Sequence, residues 1–306
     1  MDLPSDRLAA LLAVVDHGTF DAAARQLHVT PSAVSQRIKA LEHQAGQVLV
    51  LRSRPCRPTP AGRALVRLAR QIAILQAEAV REVTGTDDVL HLPVAVNADS
   101  LSTWFPTALR DLPDGVALEV HREDQDHSAA LLRDGVVMAA VTADARPVQG
   151  CRTRPLGAMR YLAVASPAFR ARWFADGLAR GLASAPTLTF NRKDALQDRF
   201  AARVLGRTAV GGAGTRPVHR VPSSTAFVEL VVGGLGWGMV PEAALGAHLA
   251  SGALVPLDDT WLDVPLHWQH WGIDAPALVD LTTRVAQAAT RSLRPRAAPA
   301  RSTPAF

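Results

Sequence analysis

A chain of 306 residues, 48% hydrophobic and 20% charged, is globular and long enough for two or three separately cored domains, which excludes a disordered chain or a small disulfide scaffold. No run of 18 apolar residues is present, and the acids within Met1–Gly18 leave no basic leader, so neither a transmembrane helix nor a signal peptide is expected. The net charge of +5 is concentrated in residues 1–70, which hold ten Lys/Arg against five Asp/Glu, while the remaining chain balances to zero.

Charge gathered at one end of a neutral body predicts a nucleic-acid-binding end. Beyond Asp280 there are no acids, and Arg284, Arg291, Arg294, Arg296 and Arg301 make the tail basic as well. Cys56 and Cys151 are too few for a disulfide framework and form no metal-ligand cluster, so a reducing cytoplasm is the expected compartment.

In chain order, Leu8, Leu11, Leu12 and Val15 recur at helical spacing behind Ser5 as N-cap. Asp21–Leu27 predicts a short alanine-rich helix, and His28-Val29-Thr30 a turn. Thr30 caps a third helix, Pro31 to about Ala45, whose first position tolerates proline because that N–H has no partner in any case. Val34, Ile38 and Leu41 form its buried stripe. Ser32, Ser35, Gln36, Lys39 and His43 lie opposite, with Arg37 at the flank. Small hydroxyls, an amide and a cation are the groups that reach base edges and phosphates, whereas an ordinary solvated helix face is rich in Glu and Lys. Val48–Leu51 reads as a strand, followed by Arg52, Arg54 and Arg57 interleaved with Pro55 and Pro58: a stiff wing holding cations to the DNA backbone. The arrangement is a winged helix-turn-helix, with Pro31, Ser32, Ser35, Gln36, Arg37, Lys39, Arg52 and Arg54 as its DNA-binding set.

The pattern A-A-x-x-L-x-x-T-x-S-A-V-S-x-x-I-x-x-L-E over Ala23–Glu42, extended by Arg52 after the apolar run and by T-P-A-G at Thr59–Gly62, resembles the DNA-binding signature of LysR-type transcriptional regulators. The family's usual Gln-Pro at the helix start is Pro31-Ser32 here, and its usual Arg-Gln order is Gln36-Arg37.

Thr59 and Pro60 start a fourth helix in which Leu65, Leu68, Ile72, Leu75 and Ala79 alternate three and four apart, an a/d seam. It packs either on its own domain or on a second chain; the resemblance implies the second, a homodimer or homotetramer that presents paired readers to double-stranded operator DNA. The helix is expected to end near Gly85, with Thr84–Asp88 as a hinge.

From Val89 strands and helices alternate: strands at Leu90–Val96, Val116–Val120 and Val136–Val141, and helices at Ser100–Leu112 and Asp126–Arg133. A second α/β stretch, about Leu162–Leu262, includes Thr187–Phe190, a helix through Phe200, the apolar run Val228–Val232 and the glycine run Gly233–Gly238. Val264–Trp271 returns as a strand and Ala275–Leu293 closes as a helix. The glycine run has neither the βα setting nor the G-K-S/T of a nucleotide site and reads as a turn before a strand. No G-x-S-x-G, H-E-x-x-H or C-x-x-C frames a catalytic group, so the chain is not expected to be an enzyme.

The expected fold class is therefore α/β: an N-terminal winged helix-turn-helix over 1–60, a linker helix over 61–86 and an effector domain over 87–306. The resemblance implies that the last has two periplasmic-binding-protein-like subdomains, about 89–162 with 263–294 and about 163–262, crossed near Leu162 and Leu262, with 295–306 as a tail.

Asn97-Ala98-Asp99-Ser100 sits where the first effector-domain strand gives way to a helix, the usual crevice of α/β folds. Glu123, Asp124 and Asp126 follow the next strand and would draw a cation. Helix capping by Asp99, Ser100 or Asp126 is the plainer use of the same residues. N-A-D-S-x-x-T-W-F at Asn97–Phe105, E-D-x-D at Glu123–Asp126 and S-S-x-A-F at Ser223–Phe227 resemble the ArgP/LysG subgroup, regulators of lysine and arginine export. The subgroup implies no cofactor but a co-effector, L-lysine or L-arginine. The candidate contacts are Asn97, Asp99, Ser100, Trp104, Glu123, Asp124, Asp126, Asn191, Asp194, Ser224 and Phe227. It also implies RNA polymerase as a partner, a cytoplasmic, nucleoid-associated location and no membrane. An architectural DNA binder that inhibits replication initiation, and a LysR-type regulator with a different effector, are the alternatives.

Overall fold

In the computed structural model, residues 3–85, 89–122, 128–206 and 216–295 are described. The chain forms two units: Met1–Val96 with Asp111–Arg154 and Trp268–Thr283, and Asn97–Arg110 with Pro155–His267 and Arg284–Phe306.

The first unit opens with three helices, α1 (Ser5–His17), α2 (Phe20–Gln26) and α3 (Pro31–Ala45). Hydroxyl caps place the second and third. Thr19 Oγ1 accepts from Ala22 N at 3.1 Å, and Thr30 Oγ1 from Ala33 N at 3.2 Å. At α1 the expected cap fails: Ser5 is already helical, and Pro4 before it has no side chain that can cap. Leu8, Leu11 and Val14 meet Ala23 and Ala24 of α2 and the expected stripe Val34, Ile38 and Leu41 of α3 in one buried core. Alanine on α2 lets the helices approach closely, and burial of the larger side chains contributes roughly 1.5–3 kcal/mol each.

The wing strands β1 (Val50–Leu51) and β2 (Arg57–Pro58) pair antiparallel. The first is shorter than expected because Leu49 is engaged elsewhere. Glu42 Oε1 accepts from Leu49 N at 2.9 Å and Val50 N at 3.3 Å, while Leu49 O accepts from Thr59 N at 2.9 Å. Thr59 Oγ1 donates to Val48 O at 2.8 Å and accepts from Gly62 N at 3.0 Å. The acid of the L-E motif and the threonine of T-P-A-G thus clasp the wing to the helices on either side.

Helix α4 (Pro60–Thr84) ends at Gly85 in the left-handed conformation, as expected. Its seam divides. Leu65, Leu68 and Ile72 pack against the winged module's own core, whereas Leu75, Val80 and Val83 are exposed, Val83 at 85%.

The effector part of the first unit is a parallel sheet. Strand β3 (Leu90–Val96) is followed by two short helices, α5 (Ala98–Ser102) and α6 (Phe105–Ala108), which group with the second unit. The single helix expected over Ser100–Leu112 is broken because Pro106 has no N–H to continue it. Strand β4 (Val116–Arg122), helix α7 (Ser128–Asp134) and strand β5 (Ala139–Thr142) complete the first unit's layer, with β3 between β4 and β5.

Strand β6 (Cys151–Ala165) was not anticipated, because Pro155, Gly157 and three arginines mask its pattern. In the second unit it is followed by α8 (Pro167–Trp173), α9 (Leu178–Ser184), β7 (Thr187–Thr189), α10 (Leu196–Leu205), β8 (Val218–Arg220) and α11 (Ser224–Val232). Then come β9 (Gly238–Pro241), α12 (Glu242–Ala250), β10 (Val255–Trp271) and α13 (Pro276–Ser292). Val228–Val232 is the end of a helix because Ser223 Oγ accepts from Ala226 N and starts α11 upstream. The glycine run is a turn before β9, as expected. Strands β6 and β10 carry the chain between the units at 154/155 and 267/268, against the expected crossings near Leu162 and Leu262. Within the second unit β6 pairs antiparallel with β9, Tyr161 opposite Pro241, over a core that includes Leu162, Val164, Leu188, Phe227, Val231 and Leu245.

Candidate DNA-reading face and effector site

Ser32, Gln36 and Lys39 lie at i, i+4 and i+7 on α3 and are exposed; Ser35 is half-buried beside them. Pro31 opens the helix, and Ser32 Oγ lies 2.9 Å from the capping Thr30 Oγ1. Arg37 is directed elsewhere: its Nε pairs with Asp6 Oδ2 of α1 at 3.3 Å, so this arginine ties α3 to α1. Arg52 leaves the wing with its guanidinium 5.0 Å from the Phe20 ring centroid, a cation–π contact that restricts where the charge points. Arg54 and Arg57 are exposed, and Cys56 N donates to Gly18 O at 2.7 Å, anchoring the loop between them. Asp6 and Phe20 were missed as positioning residues because they lie some thirty positions from their partners and no local pattern marks them.

In the second unit the N-A-D-S segment carries the most polar chemistry. Asn97 Oδ1, Ser100 Oγ and Trp104 Nε1 are buried with no hydrogen-bond partner among the described residues, each atom costing roughly 1–3 kcal/mol while it stays unpaired. Asp99 is the hub. Its Oδ2 accepts from Tyr161 Oη at 2.8 Å and its Oδ1 from Ser224 Oγ at 2.6 Å. Burial pushes the Asp99 carboxyl above its ordinary pKa; the Ser224 and Tyr161 hydroxyls oppose that shift, and the Asp194 carboxylate adds to it. The Tyr161 phenol is raised well above its own ordinary value by complete burial and by Asp99, and so remains a donor.

Tyr161 is the chain's single tyrosine and sits on the strand that the sequence did not disclose. A recess of about 180 Å³ opens beside Asp99, lined by Ser102, Thr103, Ser224, Glu229 and His248 among others. Its lining contains two carboxylates and neither lysine nor arginine, so it favours a cation.

The remaining candidates have other partners. Asp194 accepts from Phe190 N at 2.8 Å and Leu196 N at 3.1 Å, and Asn191 Oδ1 accepts from Lys193 N and Asp194 N, so both shape the turn ahead of α10. Phe227 is packed in the core, against Gly238, where a Cβ would lie 2.6 Å from its ring. Trp104 packs edge-on to Phe105 at 5.7 Å. Glu123, Asp124 and Asp126 lie outside the described residues. Both cysteines are free, and burial pushes the Cys151 thiol up to about 11. Among the described residues no helix is long and apolar enough to cross a membrane.

Residues 5–63 match the bacterial regulatory helix-turn-helix proteins of the lysR family, and residues 85–273 match the LysR substrate binding domain. The chain is 52% identical over 291 residues to the HTH-type transcriptional regulator LysG of Mycobacterium tuberculosis, covering 94% of each. It is 43% identical to the lysine export transcriptional regulatory protein LysG of Corynebacterium glutamicum, covering 94% of this chain and 99% of that one. The solved full-length LysG of C. glutamicum with bound effector Arg is 41% identical, superposes with a TM-score of 0.82, and is matched over 96% of this chain and 100% of that chain. The two family matches together span most of the chain, and it belongs to the LysR family of bacterial helix-turn-helix transcriptional regulators.

Proposed function

We propose that this regulator binds L-lysine or L-arginine as its co-effector and, so loaded, activates a gene for export of basic amino acids. The observation that carries the reading is the Asp99 carboxyl, held by Tyr161 and Ser224 beside a recess whose lining adds a second acid, Glu229, and contains neither lysine nor arginine. A guanidinium or ammonium group fits that charge. The unpartnered Asn97 and Ser100 oxygens next to it would take the polar groups of an amino acid backbone. The printed names of the LysG relatives, and arginine as the bound effector of one of them, support the same class. Two copies would pair through the exposed part of α4, at Leu75, Val80 and Val83, as a dimer or tetramer on operator DNA, with RNA polymerase as the next partner.

Calorimetry on the full chain tests the effector. Arginine or lysine should bind, and citrulline, which has arginine's shape without its charge, should bind at least about tenfold more weakly, a difference of roughly 1.4 kcal/mol. Equal affinity for arginine and citrulline would sink the assignment. Operator binding that ignores both amino acids would instead favour an architectural DNA binder.

The pH dependence has a definite sign. Because the Asp99 pKa is raised and a cation binds its ionised form, effector affinity should fall as pH drops through that raised value, and binding should release protons. Titrations in two buffers of different ionisation enthalpy read the release; identical heats would contradict it.

On the DNA side, Gln36→Ala should relax base preference at one operator position, costing about 1–3 kcal/mol there. Arg52→Ala should weaken all sequences alike and reduce the salt slope by about 1. Binding titrations on operator and scrambled duplexes at several salt concentrations separate the two. A sequence-independent loss for Gln36→Ala would remove it from the base-reading set.

A further inference from the structure

Helix α4 does more than lead out of the winged module. Along one face it is fastened to the effector part of the same unit. Arg63 Nη1 pairs with Asp134 Oδ1 at 3.0 Å, Arg67 Nη1 donates to Gln149 O at 3.4 Å, and Glu78 Oε1 accepts from Ala277 N, in the first turn of α13, at 3.0 Å. Between them lies Arg70. Its Nη1 donates to Val136 O at 2.9 Å and to Gly135 O, and its Nη2 pairs with Asp16 of α1.

The Gly135 and Val136 carbonyls lie just past the C-terminal end of α7, the negative end of its dipole. The approach is close: a Cβ on Gly135, which has φ +75°, would sit 2.9 Å from Arg67 Cα. Arg70 is only 14% exposed. Its planar guanidinium meets acceptors on α1 and on the α7–β5 turn at once, a geometry that a lysine ammonium on its flexible stem does not reproduce.

We propose that Arg70 is the coupling residue of this regulator. One guanidinium joins the first helix of the DNA-reading module to the turn that follows α7. The winged module and the β3–β4–β5 sheet therefore move as one body when the effector binds. The regulatory part of this inference rests on the proposed response to lysine or arginine.

The test uses the full chain and two variants, Arg70→Gln and the milder Arg63→Gln. Operator affinity is measured with and without saturating arginine and lysine, and backbone hydrogen exchange over 128–136 without either. In Arg70→Gln the effector-induced change in operator affinity should collapse towards unity, and exchange over 128–136 should rise roughly tenfold, as local opening becomes easier by that factor. Arginine affinity should also become independent of operator, since coupling is reciprocal. Arg63→Gln, which leaves the node intact, should move both readouts in the same direction by less, and it decides the matter if Arg70→Gln does not fold. Effector response retained at the wild-type level overturns the proposal whatever exchange shows. If the wild type itself responds to neither amino acid, the effector reading fails; unchanged exchange in the variants would then overturn the fastening independently, and raised exchange would support it.

Discussion

Gly62→Ala is expected to disrupt the winged module, lowering its stability by about 3 kcal/mol through overpacking and cutting operator affinity more than tenfold. Position 62 is helical, so on propensity alone alanine would help by about 1 kcal/mol. The clash decides the sign. A Cβ there would lie 2.0 Å from Leu49 O, a backbone atom with no freedom to retreat. That carbonyl accepts from Thr59 N, and its own residue's N–H is held by Glu42. Moving it would open the clasp that sets the wing. Gly246 supplies the control: it lies in α12 with nothing within 4 Å of its Cβ position, so Gly246→Ala should stabilise by about 0.5–1 kcal/mol. Thermal unfolding and operator gel shifts on the two variants read the contrast. A wild-type melting temperature for Gly62→Ala would contradict the close approach of Gly62 to the Leu49 carbonyl.

Asp99→Asn is expected to reduce affinity for arginine and lysine about a hundredfold, within the 2–5 kcal/mol lost when one partner of a buried charge pair is removed. The same change should raise the melting temperature of the empty protein at neutral pH. Burial raises the Asp99 pKa, so the stability linked to its protonated form is present at low pH and lost as pH rises through the folded-state value. The neutral amide removes that loss and can still accept from Tyr161 or Ser224. Opposite movement of stability and affinity separates a binding role from helix capping. Capping alone predicts lower stability and no change in effector affinity. Unfolding and calorimetry on one preparation distinguish them.

Much of the reader was legible because its physics is local. Thr30 capping Pro31–Ala45, the stripe Val34, Ile38 and Leu41, and the stop at Gly85 each follow from residues within one or two turns of one another. Strand β6 was not legible. Pro155, Gly157 and its arginines suppress the periodic signal, and it is held as a strand by pairing with β9, some eighty residues on. The candidate effector site was half legible for the same reason. Asp99, Ser100 and Ser224 stood out at element ends, whereas Tyr161 belongs to the hidden strand.

The sequence by itself determined that a basic helix-turn-helix sits on a neutral α/β body, since charge distribution, caps and helical period are properties of neighbouring residues. Only the tertiary structure decided what the individual polar groups do. It paired Arg37 with Asp6, laid Arg52 over Phe20, gathered Tyr161 and Ser224 onto Asp99, and set Arg70 between α1 and the turn after α7. Each of these contacts joins residues far apart in the chain, and a charged side chain's role depends on which partner folding brings within about 3–4 Å.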